Sequence, residues 1–132
     1  GGHAVETAIK DLAAASGEST ETCRAVWRLI GTQSVAFFSE KERHFSEKRV
    51  TLVGTTLPVE FVKNIIASEW VTTLEDLVER RLLLALHPTL TRKTLVALAE
   101  LLHSTHPTPS SVEEMVEKTC QRLRTFYARR DV

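Results

Sequence analysis

SEWVTTLEDLVERR, Ser68 to Arg81, carries two charges where helical periodicity makes them costly. Read as the end of one helix and the start of the next, it sets Glu69 among Val62, Ile65 and Ile66. Arg81 falls among Leu77, Val78 and Ala85. Both side chains are therefore expected to be largely buried. A lone buried charge is strongly unfavourable, so Glu69 and Arg81 are expected to meet across the two helices, with the guanidinium as a bidentate fork. A structural ion pair fixing the helix crossing is preferred here to a ligand or substrate site. Asp76 and Arg80, acid four residues before base, read as an ordinary surface pair on the outer face.

Working outward, apolar residues recur at three and four rather than alternating, and Gly and Pro are sparse, which makes the chain all-α. Upstream, Val5, Ala8, Ile9 and Leu12 form one stripe that stops at Ser16-Gly17. Ser19 opens a second helix with Cys23, Val26, Trp27 and Ile30 inward and Gly31 as its stop. Thr32 starts a third, Gln33 to about Glu42, with Val35 and Phe38 inward. His44 to Thr56 reads as a loop or short extended link. Pro58 suits the first turn of the next helix, whose stripe is Val59, Val62, Ile65, Ile66 and Trp70.

Thr73 to Asp76 has the form of a capping box, with Asp a shorter reach-back partner than Glu. The helix it opens is expected to run through LEDLVERRLLLALH and end before Pro88. With Leu82, Leu83, Leu84 and Leu86 apolar nearly all round, it reads as the central, surrounded helix. Thr91 caps another, with Leu95, Leu98 and Leu102 inward. Ser111 to Glu114 opens a last one, with Met115, Val116, Cys120, Leu123, Phe126 and Tyr127 inward. Arg129 and Arg130 suit the negative pole at its end. The expected architecture is one domain, residues 1–132, a single compact bundle of about six helices.

The 17 basic and 17 acidic residues cancel, so no overall field draws in nucleic acid or an anionic membrane. No apolar run approaches the roughly 20 residues that span a bilayer, and a soluble, cytoplasmic segment without direct membrane insertion is expected. Gly1-Gly2-His3 reads either as a tag remnant or as the tail of a preceding linker. Cys23 and Cys120 read as buried thiols. His103 and His106 read as a solvated helix end, since a metal site needs three or four ligands. No catalytic, cofactor-binding or metal residue is expected, because no phosphate loop, nucleophile elbow or zinc-protease motif occurs. Residues 74–102 also permit a helix-turn-helix reading led by Arg92 and Lys93, but the neutral charge and leucine-rich flank favour core packing.

The run VKNIIASEWVTTLEDLVERRLLLALH resembles the C-terminal helical domain of FAD-dependent glycerol-3-phosphate dehydrogenases. There a Glu-aromatic helix end precedes a Thr-x-x-Asp start and a helix with paired arginines. The matching positions are Glu69, Trp70, Asp76, Arg80 and Arg81. CRAVWRLIGTQSVAFF is similar to the family's helix-Gly-helix segment, and Gly1-Gly2 to the Pro-Gly-Gly that closes its catalytic part. Ile30 stands where the family often has Tyr, and Leu82 where it often has Thr.

The resemblance implies a parent enzyme that oxidises sn-glycerol 3-phosphate to dihydroxyacetone phosphate on FAD. It also implies that electrons pass to quinone at the inner face of the cytoplasmic membrane, where the parent is peripherally bound. FAD and substrate would be held by a preceding catalytic domain, the partner of this accessory domain. The chain itself would hold no cofactor and be inactive alone. The competing expectation is a free-standing helical protein-docking or DNA-binding module.

Overall fold

Side-chain caps set most of the helix starts. Ser19 Oγ accepts the Thr22 amide at 3.1 Å, Thr73 Oγ1 the Asp76 amide at 3.2 Å, and Thr91 and Ser111 each form a reciprocal box with the residue three further on. The computed structural model describes residues 2–42 and 50–132. Over them the chain is all-α: α1 Gly2–Ser16, α2 Thr20–Ile30, α3 Gln33–Glu42, α4 Val59–Ser68, α5 Leu74–Asp76, α6 Arg92–Thr105 and α7 Val112–Tyr127. A π-helical turn, Leu77–Arg81, continues α5. Gly1 and the 44–49 part of the expected loop lie outside the described residues.

The described residues gather into two compact units. One comprises those up to Thr51 together with Thr56–Phe61, the other Leu52–Thr55 with Val62–Val132. In the first, α1, α2 and α3 pack on one another around Ile9, Leu12, Cys23, Val26 and Phe38. A bidentate bridge from Arg24 to Glu6 ties α2 to α1. Gly31 ends α2 at φ 59° and ψ −133°, a combination that side-chain-bearing residues avoid. The phase of α3 differs from expectation: Phe37 is buried beside Phe38, its ring edge-on to Phe38 and Phe61, while Val35 is half exposed. Val5 also faces solvent. Pro58 precedes α4 rather than entering it, bridging Thr51 in an antiparallel pair.

In the second unit α6 packs on α7, and α5 on both, around Leu77, Leu95, Leu98, Leu102 and Leu123. Each such side chain removed from water contributes about 1.5–3 kcal/mol. The expected long central helix is replaced by something else. It stops at Arg81, and residues 82–91 form an irregular segment in which Leu82, Leu84, Ala85 and Leu90 are buried. Leu83 and Leu86 are exposed. Leu83 has φ 53°, the left-handed conformation that glycine usually supplies after a helix.

Candidate functional site

Of the residues on which the resemblance rests, Glu69, Asp76 and Arg81 come together where α4 ends and α5 passes into the π-helical turn. Arg81 Nη1 donates to Glu69 Oε1 at 2.6 Å, and Arg81 Nε donates to Asp76 Oδ2 at 3.2 Å. Glu69 and Arg81 thus meet, but not in the core. Their side chains are 36% and 38% exposed, which corrects the expectation of burial. The surface pair is corrected as well: Asp76 bonds to Arg81, and Arg80 is exposed.

Two local departures from the α-helix account for these corrections. Helix α4 ends at Ser68, so Glu69 no longer follows its apolar stripe. Trp70 takes the left-handed conformation at φ 50°, and the Val71 amide reaches back to the Ile66 carbonyl at 3.2 Å, closing the helix in the Schellman manner without its usual glycine. Trp70, expected on the inner stripe, is therefore 74% exposed. It stacks on His106 with ring centroids 5.0 Å apart, and His106 Nε2 lies 3.2 Å from the Ile66 carbonyl oxygen.

The second departure is the wide turn itself. The Leu82 amide bonds to the Leu77 carbonyl five residues back at 2.9 Å. In this π register residue i+5, not i+4, comes over residue i. Asp76 therefore faces Arg81 and leaves Arg80 aside, and Arg81 is rotated off the Leu77 and Val78 face. The capping box at Thr73 is correspondingly half formed, because the Asp76 carboxylate is engaged with Arg81. Asp76 first, then Glu69, raise the Arg81 pKa and keep the guanidinium charged.

Two further constellations lie outside the expected sites. Glu79, 11% exposed on the π turn, accepts from Arg122 Nε and from the Tyr127 hydroxyl at 2.8 Å. Arg122 above all, with Tyr127 adding to it and burial opposing, holds this carboxyl below its usual range. Tyr127 is accordingly half-buried and polar in role, and Phe126, expected inward, is exposed with the Arg122 guanidinium 4.9 Å from its ring centroid.

Arg129 reaches well past the end of its own helix. Only 11% exposed, it donates to the carbonyls of Ala85 at 2.9 Å, His87 at 3.0 Å and Leu90 at 2.9 Å, and it pairs with Asp131. Read from sequence it was a complement to the helix dipole; in fact it supplies the irregular segment with donors. No local pattern around residue 129 points to a partner some 40 residues earlier.

Cys23 and Cys120 are buried and form no disulfide, and no group of three or more potential metal ligands occurs among the described residues. His103 Nδ1 is buried with no hydrogen-bond partner among the described residues. Arg92, the first residue of the alternative recognition helix, is bonded to Glu117 at 2.8 Å. No helix among the described residues is long and apolar enough to cross a membrane. Comparison with protein-family models, with curated proteins and with solved structures finds no match.

Proposed function

We propose that the chain is the C-terminal helical accessory domain of an FAD-dependent glycerol-3-phosphate dehydrogenase. The observation that supports the reading is the cluster just described: of the matching residues Glu69, Asp76 and Arg81, the arginine donates to the two carboxylates at 2.6 and 3.2 Å. A spacing that joins a helix end to a helix start is one that a structural domain needs, and it asks for no substrate. In this reading the preceding catalytic part of the parent holds FAD and oxidises sn-glycerol 3-phosphate, with quinone as acceptor at the inner face of the cytoplasmic membrane. The accessory domain packs on that part and completes the fold. Alone, it binds no flavin and turns over nothing.

The test is the reading frame upstream together with a dye-linked assay of the full-length product. A dinucleotide-binding G-x-G-x-x-G after a strand, and dye reduction that depends on sn-glycerol 3-phosphate, are expected. A stop codon or an unrelated domain upstream overturns the proposal. So does flavin absorbance on the purified 132-residue chain. The second reading, a free-standing protein-docking module, draws on the exposure of Trp70, Leu83 and Leu86, and the same frame decides between the two.

A further inference from the structure

Three residues that the sequence pattern turns inward in the first unit, Ala8, Trp27 and Val35, stay partly exposed because they line a slot that no described side chain fills. The slot, of about 340 Å³, opens among α1, α2 and α3. Its origin lies in α1. Ala8 and Ala15 stand two turns apart on the face that carries Leu12, and their short side chains leave room on either side of it. Trp27 from α2 and Phe38 from α3 complete the apolar wall.

The slot holds a single charged residue, and that charge is unmatched. Asp11 lines it, and no Lys, Arg or His does so among the described residues. Asp11 makes no hydrogen bond or ion pair there either. Along α1 the positions three and four away are Thr7, Ala8, Ala14 and Ala15, so the helix supplies no cation of its own. Glu6 on the same helix is the contrast, since Arg24 engages it with two hydrogen bonds. A carboxylate and an indole both attract positive charge, and the apolar wall beside them accepts a hydrophobic body.

We propose that this slot binds a small organic cation, an ammonium group carried on an aromatic ring and a short chain. The ammonium pairs with Asp11, and the ring enters the slot against Leu12, Trp27 and Phe38. The volume lies at the lower end of the range for small-ligand sites, which suits one ring and not a partner helix about 10–12 Å across. The proposal goes beyond the assignment above and does not depend on it, since it rests only on α1, α2 and α3.

The test titrates phenethylammonium chloride into the isotope-labelled 132-residue chain and follows amide and indole N–H resonances by NMR, the two indoles being told apart with Trp70→Phe. Saturable shifts at the Trp27 indole and along α1 and α3 are expected, with a midpoint of about 1–10 mM. Phenethyl alcohol, which keeps the ring and loses the charge, should bind about three-fold or more weaker, and the hydrocinnamate anion about ten-fold or more weaker. Asp11→Asn should bring the ammonium probe to the level of the alcohol. Ala15→Leu, which fills the slot, should remove binding. Both positions are exposed, so circular dichroism should report an unchanged fold. Glu100→Gln, an exposed change on α6, should leave binding as it was. The proposal is overturned by absence of saturable shifts, by equal binding of the alcohol, or by insensitivity to Asp11→Asn or Ala15→Leu. Shifts at the Trp70 indole in place of Trp27 overturn it as well, since the probe would then sit on the other exposed ring.

Discussion

Residues 74–91 and residues 92–105 look alike in composition, and each is preceded by a threonine cap, yet they fold by different rules. In α6 the Thr91 and Thr94 side chains close a reciprocal cap, and Leu95, Leu98, Ala99 and Leu102 return to one buried face. Lys93 and Glu100 stay in water, and the helix propagates without a break. In the earlier stretch Leu82, Leu83 and Leu84 follow one another, and no polar face remains to orient a helix. The backbone widens to a π turn, breaks at Leu83, and gives the carbonyls of Ala85, His87 and Leu90 to a distant arginine. A regular helix satisfies its own backbone, whereas an irregular segment can be buried only if another part of the chain satisfies it.

The sharpest way to break the contrast is to remove that outside donor. Arg129→Ala takes this donor from the carbonyls of Ala85 and Leu90, leaves that of His87 with the Leu90 amide alone, and should cost about 2–4 kcal/mol in chemical denaturation. Thr91→Ala in the self-sufficient helix should cost about 1 kcal/mol. Equal costs would erase the distinction.

Gly54 tests the second tie on the irregular segment. Its carbonyl accepts from the Thr89 hydroxyl, and at φ 78° an added Cβ would lie 2.7 Å from the Thr89 carbonyl oxygen and 2.8 Å from Thr94 Oγ1. Gly54→Ala should therefore destabilise by about 1–3 kcal/mol, read as a lowered denaturation midpoint.

Leu83→Gly probes the break itself, in the opposite direction. Because the side chain is exposed and the conformation left-handed, the change should stabilise by about 0.5–1 kcal/mol. A loss instead would mean that Leu83 contributes packing that outweighs its backbone strain.

A pH titration sharpens the comparison through Glu79, which ties the π turn to α7. Its folded pKa is depressed below the unbound value of 4.5, so its contribution is complete above that value. It is lost as pH falls from there toward the lower folded value. Glu79→Gln should flatten this acid limb of stability against pH and leave α6 exchange protection unchanged.

What could be read in advance divides along the same line. Ser19, Gly31, Thr91 and Ser111 are local signals acting within a few residues, and the boundaries they mark lie where the pattern puts them. The end of α4 carries no such signal, because Trp70 occupies the position where glycine would have announced a stop. Extending the helix past it set Glu69 on a buried face that does not exist. The one-residue widening after Asp76 is equally silent in sequence, and it alone moves Asp76 from Arg80 to Arg81. Glu69 and Arg81 do come together, but as a half-exposed closure of a turn rather than by shared burial. Phe37 and Phe126 show the same limit, since the first is buried where periodicity left it out and the second is exposed where periodicity turned it inward.

The π register is the claim on which the candidate cluster and the freedom of Arg80 both depend. Double-mutant cycles in urea on Asp76 with Arg81 and on Asp76 with Arg80, each through alanine, test it directly. A measurable favourable coupling is expected between Asp76 and Arg81, and none between Asp76 and Arg80. Coupling to Arg80 with none to Arg81 would mean an ordinary α-helix through residues 77–81 and would contradict the account.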